Sequence, residues 1–347
     1  INNGVVNTET TSCGLYNGAT SCQLESPITP VPYNGVSFAS WSSSEASNVS
    51  TTLEISGNKD FYGYYVQVFS VTKIEGASAT TTTNTYLYEY IAGTNIVTKE
   101  PTVNIGTPAS ISGYETLGWR EDDTKGVATL ASNKEMTLTK SLTLNGVYKR
   151  TITLSYETNG GSAITSENAT QYYNSSSGAS EHSFTVGTTS KEGYTLQNYG
   201  LGSTSGTKYT AGSTITITES SKLYANWKVN NYTATITGSN VTISSPSVSV
   251  PYGGTATFTV TPKSGYYLNS ITCTNGYTVS GYTTGTSATG SQTVTIKNPS
   301  TTQATTCTVG IVSLCPYTAG QTWTYNYTGG VQSFTVPCNG TYKLEVW

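Results

Sequence analysis

Gly193-Tyr-Thr-Leu-Gln-Asn-Tyr199, followed downstream by Leu223-Tyr-Ala-Asn-Trp227, decides the reading of this chain, because each stretch has three counterparts. The first belongs to a set in which a glycine is followed six residues later by a large apolar or aromatic residue. The set comprises Gly35-VSFAS-Trp41, Gly113-YETLG-Trp119, Gly193-YTLQN-Tyr199 and Gly265-YYLNS-Ile271. The second belongs to a set reading Phe61-YGY-Tyr65, Leu144-NGV-Tyr148, Leu223-YAN-Trp227 and Cys307-TVG-Ile311. Both sets advance by roughly eighty residues per copy, the signature of an internal repeat. In a strand, residues two and four apart share a face. Leu223, Ala225 and Trp227 therefore point one way, as do Leu144, Gly146 and Tyr148. Each copy reads as a small sheet closed by a bulky side chain at a fixed place.

The rest of the chain agrees with an all-β, β-grasp-like fold of four tandem modules in an elongated array, plus a C-terminal β segment. Of 347 residues, 35% are hydrophobic and only 10% charged, and the single Met leaves little for an amphipathic helix. Tyr and Thr favour pleated, half-buried surfaces, while Gly and Asn serve turns. Runs such as Thr214-Ile-Thr-Ile-Thr218, Thr255-Ala-Thr-Phe-Thr-Val260 and Thr293-Val-Thr-Ile296 alternate wet and dry positions, as half-buried antiparallel strands do. The anchors set module boundaries at 1–73, 74–149, 150–229 and 230–313, with a hairpin-like start of a further domain at 314–347. The connections Ser70–Lys73, Lys149–Arg150 and Lys228–Asn231 read as short linkers, implying a semi-rigid stalk. The Thr-rich run Ala77–Asn84 reads as a mobile segment or an extended strand edge.

A net charge of −3 with no Lys/Arg cluster gives no phosphate-binding face, so nucleic acid is not an expected partner. No apolar run approaches the ~18 residues of a membrane span. Ile1-Asn2-Asn3 has no signal-peptide pattern, and the strand-like run ending at Trp347 predicts a longer parent. The six cysteines fall into sequence-local pairs, Cys13 with Cys22, Cys273 with Cys307 and Cys315 with Cys338. Proximity favours these three disulfides among the fifteen possible pairings, in an oxidising compartment.

Residues 150–229 resemble the Listeria–Bacteroides repeat, also called the internalin B-repeat. The likeness is carried by Asn159-Gly-Gly161, Gly193-Tyr194, Tyr209-Thr-Ala-Gly212 and Leu223-Tyr-Ala-Asn-Trp227, with Tyr199 standing where Trp is usual. Module 2 matches at both anchors and module 1 less closely. Module 4, with Val250-Pro-Tyr-Gly-Gly254, resembles a divergent version. The segment Gln332 to Trp347 looks like the opening of a glycine-rich surface domain. The resemblance implies β-grasp-like modules strung along a bacterial surface protein, and it supplies no catalytic residues.

Chemistry-bearing constellations are scarce. His182, the lone histidine, has no G-x-S-x-G nucleophile elbow to serve and reads as an exposed residue. Glu121-Asp122-Asp123 is a consecutive acidic run, which reads as a solvated loop before it reads as a calcium site, since such a site needs ligands converging from several directions. No metal, no cofactor and no enzymatic activity are expected. The 27 tyrosines offer another possibility. Tyr86, Tyr88, Tyr90, Trp323, Tyr325 and Tyr327 form rows that either present stacking faces to a ligand or contribute one face to a core. The repeat core anchors are Trp41, Trp119, Tyr199 and Ile271 in the first set and Tyr65, Tyr148, Trp227 and Ile311 in the second. The expected function is that of a secreted, structural or adhesive cell-surface protein, a stalk or filament segment. The alternatives are a module binding a host or bacterial surface glycan or protein, and a subunit assembling with itself into a fibre.

Overall fold

The computed structural model describes residues 22–23, 37–42, 49–50, 54–55, 62–91, 96–315, 317–336, 338 and 340–346, with side chains described over 65–89 and from 100 onward. The fold is all-β. The strands that matter below are β1 (Ser37–Ser42), β2 (Tyr62–Glu75), β3 (Thr80–Ile91), β4 (Glu115–Arg120), β5 (Leu142–Glu157), β6 (Tyr194–Leu201), β7 (Ser221–Val229), β8 (Asn231–Thr237), β9 (Tyr266–Cys273) and β10 (Thr305–Ser313). The described residues divide into two compact units. One takes in residues up to 153 with 167–184 and 216–220, the other 154–166, 185–215 and 221 onward.

One pairing recurs four times. In each copy the strand carrying the first anchor runs antiparallel to the strand carrying the second, and the anchor residue faces the third residue of the second motif. The facing residues are Trp41 and Gly63, Trp119 and Gly146, Tyr199 and Ala225, and Ile271 and Val309. Each pair of strands also slips register at the same place, so that the residue two before the anchor has no opposite number. These residues are Ala39, Leu117, Gln197 and Asn269. An extra residue in one strand sharpens its twist and re-aims the side chains after it. In the three copies with described side chains the anchor is buried: Trp119 and Tyr199 are fully enclosed and Ile271 nearly so.

A second, parallel pairing also recurs. The closing strand of a copy lies beside that copy's opening strand: Leu142 beside Val71, Leu154 beside Ser221, and Ala234 beside Thr305. The connection read as a linker at Ser70–Lys73 is thus the middle of β2, and Lys149–Arg150 lies within β5. Nothing in either stretch breaks a strand, because neither Gly nor Pro interrupts the extended backbone. Only at Asn230, between β7 and β8, does the chain leave one strand before entering the next.

In the first unit, Phe69, Val71, Ile105, Trp119, Leu138 and Leu144 share a core. In the second, residues 230–313 fold as two four-stranded sheets packed over Ile236, Phe258, Leu268, Val294, Ile296 and Cys307. Cys273 and Cys307 face each other across β9 and β10 and are bonded, as are Cys315 and Cys338. Cys13 and the side chains of Cys22 and Trp41 lie outside the described residues, as does most of 1–61, so the expected pair Cys13–Cys22 is not described. Two disulfides point to an oxidising, extracellular type of environment.

The C-terminal hairpin expected over 314–347 is not seen among the described residues. Among the described residues 317–346 none belongs to a strand, although Phe334 to Val336 and Tyr342 to Val346 alternate as strands do. An isolated two-stranded ribbon is marginal in water without a further strand or a helix to cover one face. The Cys315–Cys338 bridge and a group of rings organise the segment instead.

Candidate functional site

The exposed rings of that C-terminal segment form the strongest candidate. Trp323 stands with its ring centroid 5.5 Å from Tyr317, 5.3 Å from Phe334 and 6.4 Å from Tyr342. Tyr325 packs edge-on to Phe334 at 6.1 Å. Tyr342 is held by its hydroxyl, which donates to the Cys338 carbonyl at 2.6 Å and accepts from the Cys338 amide at 3.1 Å. The bridge thereby fixes one wall of the cluster. Trp323 remains 36% exposed, Tyr325 54% and Tyr327 93%, so these three rings reach solvent. Such faces stack on sugar rings or bury against protein, with little rotamer entropy lost.

The other predicted row sits differently. Tyr86 and Tyr88 are half-buried and pack against the Phe69–Trp119 core, where Tyr88 meets Phe69 edge-on at 5.8 Å. They share a face of β3 because they are two residues apart, and that face looks inward. The side chain of Tyr90 lies outside the described residues.

A second ensemble surrounds Asn230. The Asn230 amide donates to the Gly193 carbonyl at 2.8 Å, its own carbonyl accepts from the Tyr252 amide at 2.9 Å, and Thr195 Oγ1 donates to its side-chain oxygen at 2.6 Å. Tyr252 meets Tyr194 at 6.0 Å and Tyr232 at 6.5 Å, and Lys191 Nζ lies 4.5 Å from the Tyr194 ring centroid. Gly193 has φ +76°, and a Cβ there would fall 2.1 Å from the Tyr252 ring, so only glycine fits. Beside the joint lies a shallow open recess of about 530 Å³, lined by Thr195, Lys228, Val229 and Asn230 to Tyr232. Gly193-Tyr194 and Val250-Pro-Tyr-Gly-Gly254 are separate motifs in the sequence. Their meeting across Asn230 depends on tertiary geometry that no local signal carries.

Two carboxylates of the acidic run at 121–123 are held in ion pairs. Asp122 is bridged by Arg120 at 2.5 Å, and that guanidinium holds its carboxyl down at about 2. Glu121 pairs with Lys140 at 2.9 Å. The backbone of this loop is fastened by buried amides: Asn145 Nδ2 donates to the Asp122 carbonyl at 2.9 Å, and Asn174 Nδ2 donates to the Asp122 and Thr124 carbonyls, each at 3.2 Å. Among the described residues no three His, Cys, Asp or Glu side chains converge as metal ligands would. His182 is exposed and rests edge-on against Phe184 at 4.7 Å.

The second-set anchors are also placed. Tyr65 and Tyr148 are buried, while Trp227 and Ile311 are half-buried. Trp227 donates through Nε1 to the Thr158 carbonyl at 2.9 Å. The motif Asn159-Gly-Gly161 sits beneath it, with Asn159 at φ +49° and Gly160 at φ +83°, while a Cβ on Gly161 would meet the indole at 2.6 Å. Comparison with protein-family models, with curated proteins and with solved structures finds no match to this chain.

Proposed function

We propose that this chain is a non-catalytic, structural and adhesive segment of a bacterial cell-surface protein, built from tandem modules of the internalin B-repeat type. One observation carries the reading: the same anchor-to-anchor register and the same slipped residue recur in four copies roughly eighty residues apart. A chain selected for one active site has no need to repeat one sheet motif along its length, whereas a chain that spaces or displays something does. The oxidising environment supports an extracellular location.

Pulling the chain from its ends tests this. Four modules should unfold in succession, each releasing roughly eighty residues, or about 28 nm of contour at ~3.5 Å per residue. The module at 230–313 should release less while Cys273–Cys307 is intact, since 34 residues of sequence separate the bonded cysteines. Reduction should restore the missing length. A single cooperative rupture would remove the reading.

A second reading rests on the exposed Trp323, Tyr325 and Tyr327: recognition of a surface glycan or protein. Its test is a glycan and receptor array probed with the chain and with Trp323→Ala. Binding lost in the variant supports it, and binding equal in both removes these rings from recognition.

A further inference from the structure

Among the described residues, the strand β3 has a partner on one side only for most of its length. Along Thr80–Glu89 it pairs with β2, without a register slip from Glu75↔Thr80 to Val66↔Glu89. Its other edge meets the strand Ile96–Lys99 only at Glu89, Tyr90 and Ile91. Among the described residues no strand covers the outer edge of Thr80–Leu87. Thr80 to Thr85 are all exposed, and Leu87 is 48% exposed beside its cross-strand partner Val68 at 55%.

Proteins guard such edges with lysine, proline, a bulge or extreme shortness. Thr80-Thr-Thr-Thr-Asn-Thr-Tyr-Leu87 has none of these. The edge is also held in place. The turn that leads into it, Gly76–Ala79, is fastened by the Tyr148 hydroxyl, which accepts from the Gly76 amide at 3.0 Å, and by the Tyr173 hydroxyl, which donates to the Ala77 carbonyl at 3.1 Å. Behind β3, β2 is a central strand with β5 on its far side. A preformed edge loses little entropy when a strand is added.

We infer that Thr80–Leu87 is an association surface for a second copy of this chain, joined antiparallel about a two-fold axis so that two sheets become one. Self-pairing suits the composition. The run is uncharged, so no like charges oppose each other, and a charged peptide would find no complement there. A two-fold axis normal to the sheet keeps each set of side chains on its own face. Thr83 then lies opposite its own copy and Thr81 opposite Thr85, and such Thr–Thr pairs stabilise sheets. Ala79 of the second copy comes to lie beside Leu87. The joint is about 27 Å long at ~3.4 Å per residue. That is small for an interface, so dissociation is expected at roughly tens to hundreds of micromolar. The inference does not depend on the stalk reading.

Sedimentation equilibrium of the 347-residue chain from about 1 μM to about 1 mM tests it. The chain should pass from monomer to dimer and go no further. Thr83→Lys, at an exposed position that leaves circular dichroism unchanged, sets two ammonium groups opposite each other and should weaken association at least about fivefold. The double variant Thr81→Lys/Thr85→Glu should keep the dimer, because each lysine then faces a glutamate. A monomer throughout, a dimer indifferent to Thr83→Lys, a dimer lost in both variants, or growth beyond two copies would each overturn the inference.

Discussion

Residues 74–149 and 150–229 answer the same structural requirement with the two large polar aromatics exchanged. In the first, Trp119 is the buried first anchor and Tyr148 the second; in the second, Tyr199 is the first anchor and Trp227 the second. The strand register is identical, but the fate of the polar ring atom is not. Trp119 Nε1 donates to the Gly106 carbonyl at 2.9 Å, and Trp227 Nε1 to the Thr158 carbonyl at 2.9 Å. The Tyr148 hydroxyl both accepts from Gly76 and donates to the Ala109 carbonyl at 2.8 Å. The buried Tyr199 hydroxyl has no hydrogen-bond partner among the described residues. Backbone pairing therefore fixes where an anchor goes. Whether its polar atom is satisfied depends on which loop carbonyl passes at that height, and an indole nitrogen and a phenol oxygen project to different heights.

The largest expected effect comes from removing the anchor that is both buried and satisfied. Trp119→Ala leaves a ring-sized cavity in the Phe69–Leu144 core and removes one of the two hydrogen bonds to the Gly106 carbonyl, which keeps the Asn133 amide, and should cost about 3–5 kcal/mol. Urea unfolding followed by hydrogen exchange in residues 100–148 measures it. Trp227→Ala should cost less, because that indole is half-buried. Equal losses would mean that the two positions are not distinguished by burial. Next is Gly193→Ala. The positive φ and the 2.1 Å clash that an added Cβ would make with the Tyr252 ring combine, and a loss of roughly 1–3 kcal/mol is expected. Its effect should be confined to the joint around Asn230, seen as faster exchange of the Tyr252 and Asn230 amides.

The sequence reveals the anchors because each is a large residue at a fixed distance from a glycine, a signal that survives exchange of Trp for Tyr or Ile. It also reveals the strands, through the alternation of Thr with branched residues. It misplaces two of the three linkers, since a short polar stretch such as Ser70–Lys73 looks the same whether a strand ends there or continues. It leaves Tyr86 and Tyr88 undecided for a related reason: alternation says that two residues share a face, but not which face meets a core. The C-terminal run is the converse case. Its pattern is strand-like, and among the described residues no strand pairs with it. The exposed Trp323 cluster was legible as a row of rings, whereas its closure by Tyr342 on Cys338 is a contact between separated residues that no local pattern encodes.

The smallest changes test the comparison most sharply, because they delete single oxygen atoms. Tyr148→Phe strands the Gly76 amide and the Ala109 carbonyl and should destabilise by about 1–3 kcal/mol. Tyr199→Phe removes a hydroxyl with no hydrogen-bond partner among the described residues, and should be neutral or stabilise by up to about 1 kcal/mol. Burial, aided by the neighbouring Tyr156, pushes the Tyr199 phenol up to about 12 from the usual 10. A proton held more tightly in the folded state adds stability at pH values below 10, and that stability is lost as pH rises from 10 to 12. The wild-type chain should therefore lose up to about 3 kcal/mol across that window through this one group. Tyr65, Tyr114 and Tyr277 are raised as well, so the wild-type curve alone does not isolate Tyr199. The difference between wild type and Tyr199→Phe does, because both share the other phenols. If their stabilities run parallel from pH 9 to pH 12, the Tyr199 hydroxyl is solvated, and the contrast with Trp119 reduces to ring size.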